Sequence, residues 1–160
     1  MEGGDILGRI EKSIEIRVPP ENVWEMLALD RLPEWNKGFQ DELKSVEYTS
    51  EVHTIKDKLR VGATAHGISK KQGESIKFIF EITESLENEK MAYHFSFGKM
   101  ARVSVIYDLE AVEEGTKLAY SIDYEMSWGI FGKMLGKLAT AGGEKEVERD
   151  LERFKSILEK

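Results

Sequence analysis

Apolar residues near the C-terminus recur at a helical spacing. They fall at i, i+4, i+7 and i+11, which predicts an amphipathic helix with one buried stripe. The stripe consists of Val147, Leu151, Phe154 and Leu158. The charged residues between its members are predicted to form a solvated face, and they are Glu148, Arg149, Asp150, Glu152, Arg153 and Lys155. A single helix over residues 130–160 is about 45 Å long, which is enough to cross a sheet.

The chain before this helix alternates apolar and polar residues with a period of two, which is typical of strands that bury one face. A first strand is predicted at residues 10–18, after a frayed or extended lead-in at residues 1–9. Two short helical segments follow it, one around Val23 and Trp24 and one over residues 30–35. Six further strands are predicted at residues 43–48, 61–68, 76–82, 91–97, 103–109 and 118–128.

The short connections between consecutive strands predict antiparallel pairing. A sheet with one apolar face needs a second layer on that face, and the C-terminal helix is the element that can supply it. The predicted fold class is therefore α+β: a seven-stranded antiparallel sheet covered by a long C-terminal helix, with two short helices after strand 1. The length of 160 residues fits a single domain over residues 1–160.

Several short segments stand in a distinctive order along the chain. They are the first strand running into PPENVW at 19–24, the segment from Asp30 to Trp35, the Val61-Gly62 strand start, the Ile82-Thr83-Glu84 strand end, the Gly115-Thr116 turn and LERFK at 151–155. In this order, over residues 10–160, they resemble the START-like superfamily, also called SRPBCC, which includes polyketide cyclases and dehydrases, lipid-transfer domains and pollen allergens. The resemblance implies a helix-grip fold, in which the sheet wraps around the C-terminal helix and leaves a cavity. It also implies binding of a hydrophobic ligand as the usual role, with catalysis in some members.

Two features depart from the pattern of that superfamily. Asn36-Lys37-Gly38 follow Trp35, where the family often has a proline. Gly142-Gly143 interrupts the predicted C-terminal helix, at a cost of about 1 kcal/mol per glycine relative to alanine. The glycine pair is either a C-cap or close-packing point that divides the helix, or a hinge that lets residues 128–138 open over the cavity.

The composition narrows the classes of function. A net charge of −7 without a patch of Lys and Arg argues against nucleic-acid binding. The absence of cysteine excludes disulfides, thiolate metal sites and cysteine nucleophiles. The N-terminal residues lack the basic and apolar regions of a signal peptide, and no apolar run approaches the roughly 20 residues that span a bilayer. We therefore expect a cytoplasmic protein without stable membrane insertion, and the sequence names no protein partner.

The inward face of the predicted sheet is rich in aromatic residues. Tyrosines there can hydrogen-bond the polar end of a ligand while their rings pack against its apolar body, or they are ordinary core aromatics. The tyrosines on this face are Tyr48, Tyr93, Tyr107, Tyr120 and Tyr124. The other residues predicted to line a ligand cavity are Trp35 at its entrance, Phe78, Phe80 and Phe95 on the strands, and Trp128, Phe131, Leu135 and Leu138 on the first half of the helix.

His66 is the strongest candidate for acid–base chemistry, because the ordinary pKa of histidine is about 6.5. The register of its strand leaves two alternatives open. In one, Thr64 and His66 face the cavity; in the other, the small residues around them do, and His66 faces water. Those small residues are Ala63, Ala65 and Gly67. The ionisable residues predicted to point outward from the other strands are Glu81, His94, Arg102, Asp108, Glu110 and Asp123.

Three functional hypotheses fit this pattern. The first is the binding or carriage of a small hydrophobic ligand, such as a lipid, an isoprenoid or a polyketide-like molecule, in a cavity between the sheet and the C-terminal helix. The alternative is a cyclase or dehydratase that uses the same cavity, with His66 or a tyrosine as the acid or base. The third is a regulatory module that binds a partner through the outer sheet face. The scattered histidines and the absence of any nucleotide-binding fingerprint predict no metal and no cofactor.

Overall fold

A computed structural model describes residues 5–71, 74–97, 101–127 and 141–160 of the chain. The strands are β1 (Asp5–Ile16), β2 (Glu47–Tyr48), β3 (Thr64–Lys71), β4 (Glu74–Leu86), β5 (Lys90–Phe97), β6 (Ala101–Val112) and β7 (Gly115–Ser127). The helices are α1 (Pro20–Met26), α2 (Leu32–Trp35), α3 (Lys37–Glu42), α4 (Ile55–Leu59) and α5 (Ala141–Leu158), with a 3-10 turn (Leu29–Arg31) before α2.

All seven strands belong to one antiparallel sheet, in the order β1-β7-β6-β5-β4-β3-β2. The later strands follow one another as a meander, and β1 pairs with β7 at the far edge, from Asp5 opposite Ser127 to Ile16 opposite Thr116. The α+β class and the seven antiparallel strands predicted from the sequence are confirmed. Residues 5–9, predicted to be a lead-in, are part of β1, because β7 extends far enough to supply their hydrogen-bond partners.

Helix α5 covers one face of the sheet, which we call the inner face. Its stripe residues Val147, Leu151 and Phe154 are at most 2% exposed, and Leu158 is half-buried. Period-two alternation places the buried residues of the strands on this same face. The predicted anchoring of the helix by its second half is confirmed. Its predicted first half, residues 130–140, lies outside the described residues.

Two short helices occupy segments for which the sequence predicted neither helix nor strand. Helix α3 directly precedes the predicted strand at 43–48, and the Asn36 side chain caps it by accepting a hydrogen bond from the backbone N–H of Phe39. Of that predicted strand, the structure keeps the two residues of β2. Helix α4 lies between the predicted strands at 43–48 and 61–68, where Thr54 and Asp57 form a capping box. Helix α3 lies beside the inner face and forms one wall of the cavity described next.

Candidate functional site

A cavity of about 110 Å³ lies between α3, α5 and the inner face of β5, β6 and β7. The sheet contributes Tyr93, Phe95, Val103, Val105, Tyr120 and Ile122 to its lining. The segment leading into α3 and α3 itself contribute Asn36, Lys37, Gly38, Phe39 and Asp41, and α5 contributes Glu146, Val147 and Asp150. The sheet side is thus apolar and aromatic, whereas the two helices contribute the charged side chains. Lys37, Asp41 and Glu146 lie on the solvent side, which we call the mouth, and Asp150 is buried.

Three tyrosines from neighbouring strands form a row on the inner face. Tyr93, Tyr107 and Tyr120 are each at most 2% exposed. Trp35 packs behind this row, with ring centroids 6.2 Å from Tyr107 and 5.9 Å from Tyr120, and its ring meets Phe154 of α5 at 5.0 Å. Trp35 is fully buried, so the structure places it in the core and not at an entrance.

Phe39 of α3 closes the cavity on the side of β4. Its ring centroid lies 5.5 Å from that of Phe80 and 5.0 Å from that of Phe95, and Phe78 lies 6.3 Å away. Phe78 and Phe80 are fully buried beneath it, and only Phe95 of these strand residues reaches the cavity lining. Helix α3 therefore determines how far the cavity extends along the sheet.

Asp150 is the charged residue buried at the cavity, and the prediction that it lies on a solvated face is wrong, since it is 6% exposed. Its Oδ1 accepts hydrogen bonds from the backbone N–H of Lys37 at 3.1 Å and from the Arg153 guanidinium. Arg153 also donates from Nε to the Trp35 carbonyl at 3.2 Å. Burial raises the pKa of Asp150 to about 6, although the bonds from Lys37 and Arg153 oppose the rise.

The sequence contains a signal that points to Asp150. It stands three residues after Val147 and four before Phe154, so it belongs to the wider apolar face that a helix buries when it lies on a broad sheet. The narrower stripe used for the prediction leaves this position out.

Several buried polar atoms have no hydrogen-bond partner among the described residues. They include the hydroxyls of Tyr93 and Tyr107 and the indole nitrogen of Trp35. Burial raises the pKa of both tyrosine hydroxyls, so both stay neutral. The nearby Tyr107 hydroxyl opposes the rise in the pKa of Tyr93, but the two groups do not reach hydrogen-bond geometry. Of the three residues, Tyr93 lines the cavity.

Burial also raises the pKa of Tyr120, and the side chain of Asn36 opposes this rise from the mouth of the cavity. Tyr120 lines the cavity together with Tyr93. The cavity therefore receives two neutral phenols from the sheet and one carboxyl group from α5.

The other two predicted tyrosines lie elsewhere. The Tyr48 hydroxyl accepts from the backbone N–H of Leu29 at 3.1 Å and donates to the Lys58 carbonyl at 3.0 Å, so it joins the 3-10 turn to α4. Tyr124 is half-buried on β7 and lies over Gly8 of β1, where an added Cβ would collide with its hydroxyl. Neither residue is part of the cavity lining.

The strand register places His66 on the outer face. Ala63 and Ala65 are 2% and 1% exposed, whereas His66 is half-buried with its Nε2 3.8 Å from Glu47. The alternative in which the small residues face inward is confirmed. The alternative in which His66 faces the cavity is wrong. A Cβ at Gly67 would come within 2.8 Å of Leu43 Cδ1, so side chains after α3 fill the space that the small residues leave.

The predicted helical part of the cavity wall, with Trp128, Phe131, Leu135 and Leu138, lies outside the described residues. Gly142 and Gly143 fall within the first turn of α5. Their use as a hinge stays a prediction.

The outer face of the sheet carries the ionisable residues predicted for it. Glu81, Arg102, Asp108 and Glu110 are exposed, and His94 and Asp123 are half-buried. In the described ranges, no three residues of the types His, Cys, Asp and Glu are grouped so that they could hold a metal ion. No described helix combines the length and the apolar character needed to cross a bilayer.

Comparison with known proteins gives matches over nearly the whole chain. The family described as "Polyketide cyclase / dehydrase and lipid transport" matches residues 8–159. A 17.2 kDa protein of Streptomyces lincolnensis is 22% identical over 154 residues, which cover 96% of this chain and 91% of that protein.

Two solved structures share the fold. A START superfamily protein from Mycobacterium smegmatis has a TM-score of 0.66 at 19% identity, covering 94% of this chain and 97% of that one. A protein from Rhizobium leguminosarum has a TM-score of 0.67 at 14% identity, with 97% and 96% covered. Together with the family match, these structures confirm the START-like resemblance that the sequence predicted.

Proposed function

The chain belongs to the polyketide cyclase/dehydrase and lipid transport family, and from this premise we propose that it binds a small, largely hydrophobic molecule with a polar end. The proposed site is the cavity between α3, α5 and the inner face. The family is associated with hydrophobic ligands, either as lipid transporters or as polyketide cyclases.

The observation that carries the proposal concerns Tyr93, which lines the apolar sheet side of the cavity and whose hydroxyl is buried without a hydrogen-bond partner among the described residues. Leaving a buried hydroxyl without a hydrogen bond costs about 1–3 kcal/mol. A ligand whose polar atom meets this hydroxyl recovers that cost. Its apolar body replaces water against the valine and isoleucine side chains of the walls, which adds a favourable hydrophobic contribution.

The size of the cavity supports a small ligand. Its volume of about 110 Å³ is below the range of about 300–1,000 Å³ typical of sites for drug-sized molecules. The proposed occupant is therefore a molecule with one or two rings, or the end of a longer isoprenoid or acyl chain whose remainder extends past the mouth between Lys37 and Glu146.

Titration with 2-naphthol, a neutral two-ring molecule with one hydroxyl, tests this function by calorimetry. We expect saturable binding of one molecule per chain with a Kd of about 10–100 μM, which corresponds to roughly 0.5–0.6 kcal/mol per non-hydrogen atom. Tyr93→Phe should weaken 2-naphthol binding by about 3- to 10-fold, because one hydrogen bond is lost. The same variant should bind naphthalene, which has no hydroxyl, as well as the wild type does. Absence of saturable binding of either molecule to the folded wild type contradicts the proposal.

A second function is supported by Asp150. A buried carboxyl group whose pKa is about 6 is suited to exchange protons with a bound molecule near neutral pH. With Tyr93 and Tyr120 on the facing wall, this arrangement fits a cyclase or dehydratase that uses Asp150 in the role the sequence assigned to His66. Turnover that is lost in Asp150→Asn while binding is kept would favour this function over simple carriage.

A further inference from the structure

We propose that this cavity selects ligands whose polar end donates a hydrogen bond to Asp150, such as a hydroxyl, a phenol or an ammonium group, and that it rejects a free carboxylate. The inference rests on the proposed function and adds the chemical class of the ligand. On this proposal the cavity binds neutral and cationic ligands more tightly than free fatty acids and other carboxylates of the same apolar shape.

The charges around the cavity disfavour an anion. Asp41, Glu146 and Asp150 are all part of its lining, whereas Lys37 is the one cation among the described lining residues. The Lys37 ammonium is already paired with Asp41 at 2.9 Å. A ligand carboxylate placed here is repelled by the nearest carboxylates, and repulsion between like charges is strongest where water is excluded.

One carboxylate oxygen of Asp150 can accept a hydrogen bond from a ligand. Its Oδ1 is used by the backbone N–H of Lys37 and by Arg153, while Oδ2 has no hydrogen-bond partner among the described residues. An ionised carboxylate accepts hydrogen bonds and donates none. A ligand hydroxyl or ammonium can meet this requirement, whereas a ligand carboxylate cannot.

The Tyr93 hydroxyl supplies a second, independent indication of a ligand. Tyr93 is 1% exposed, its hydroxyl is unpartnered, and it lines the same cavity as Asp150. A phenol both donates and accepts hydrogen bonds. Tyr93 can therefore donate a hydrogen bond to the oxygen of a ligand hydroxyl, while the same ligand hydroxyl donates a hydrogen bond to Asp150. A hydroxyl is thus the group that satisfies both partners.

The preference should depend on pH through Asp150. The titratable and charged groups that face it are Arg153 and Glu146 on α5, Lys37 and Asp41 on α3, and Tyr93, Tyr107 and Tyr120 on the sheet. Its pKa of about 6 means that Asp150 is an acceptor at pH 7.5 and is mostly protonated at pH 5. A protonated carboxyl can donate to a carboxylate, so the bias against carboxylate ligands should shrink at the lower pH.

Calorimetric titration with three molecules that share one ring system tests the inference: 2-naphthol, 2-naphthylmethylammonium and 2-naphthoate. At pH 7.5 the wild type should bind the first two at least 10-fold more tightly than 2-naphthoate. In Asp150→Asn the three affinities should differ by less than about 3-fold. Glu152→Gln, which removes an exposed carboxylate from the same helix outside the cavity lining, is the matched control and should keep the preference.

Each outcome decides a separate claim. If the wild type binds 2-naphthoate as tightly as 2-naphthol, the inference is overturned and the proposed function stands. An unchanged preference in folded Asp150→Asn overturns the role of Asp150. Failure of all three molecules to bind overturns the proposed function and the inference together. If Asp150→Asn does not fold, the wild type is titrated at pH 7.5 and at pH 5. A difference in affinity between 2-naphthol and 2-naphthoate that does not become smaller at pH 5 then overturns the inference.

Discussion

Val105→Trp is expected to reduce the affinity for 2-naphthol at least 100-fold while the chain stays folded. Val105 lies on β6, is 2% exposed and lines the cavity. An indole at this position extends into a free volume of only about 110 Å³ and occupies the space proposed for the ligand. A 100-fold loss corresponds to about 2.7 kcal/mol of binding free energy. Calorimetric titration measures the affinity, and circular dichroism checks the fold.

The matched control is Ile106→Trp, at the next residue of the same strand. Successive side chains of a strand point to opposite faces, and Ile106 is half-buried on the outer face. This variant should bind 2-naphthol within about 2-fold of the wild type. Overpacking can cost Val105→Trp about 1–3 kcal/mol of stability, and if it fails to fold, Val147→Phe blocks the cavity from α5 instead. A folded blocking variant with unchanged affinity places the binding site elsewhere.

Asp150→Asn should be more stable than the wild type at pH 7 and above, and the advantage should vanish below pH 4. The pKa of Asp150 is raised from 3.8 to about 6 in the folded chain. Between these two values the folded state holds a proton that the unfolded state has lost, so the free energy of unfolding of the wild type falls as pH rises through this window. At about 1.4 kcal/mol per pKa unit the total loss is at most about 3 kcal/mol. Asparagine has no such loss, and its side-chain oxygen can still accept from the backbone N–H of Lys37.

Urea denaturation at pH values from 4 to 8 measures this effect. Glu148→Gln is a suitable control on the same helix, because hydrogen bonding to Lys12 lowers the pKa of Glu148. A lowered pKa stabilises the fold above the ordinary value, so this substitution should lower stability at neutral pH, opposite in sign to Asp150→Asn. Parallel stability curves for the wild type and Asp150→Asn would show that Asp150 does not carry a buried charge.

Much of the fold could be predicted because burial of one sheet face leaves a period-two pattern in each strand. The stripe of Val147, Leu151 and Phe154 predicted the second half of α5 in a similar way, because burial of one helix face leaves apolar residues at helical spacing. Helices α3 and α4 have six and five residues, too few for a helical period to emerge. What marks these two helices in the sequence is their N-cap residues, Asn36 and Thr54. Neither stands out, because polar residues surround both.

The candidate site was predicted less completely than the fold, because it depends on contacts between distant parts of the chain. Tyr93, Tyr120 and Phe95 could be placed on the inner face by strand parity, and the structure brings them to one cavity. Asp150 was left out because the stripe used for the prediction was too narrow, and its hydrogen bond to the backbone of Lys37 joins residues 113 positions apart. The orientation of His66 was open because Ala63, Ala65 and Gly67, on the other parity of its strand, are too small to identify a buried face. In the structure, Leu43 after α3 covers the parity of Gly67.

The most direct test of the binding site is a titration of methyl-labelled protein with 2-naphthol, followed by NMR. Aromatic rings shift the resonances of methyl groups that they touch. We predict saturable shifts for the methyl groups of Val103, Val105, Ile122 and Val147, which line the cavity. Val23 and Leu118, which are fully buried but outside its lining, should stay unchanged. Shifts confined to methyl groups outside the lining, or no saturable shift at all, would contradict a ligand site between α3, α5 and the sheet.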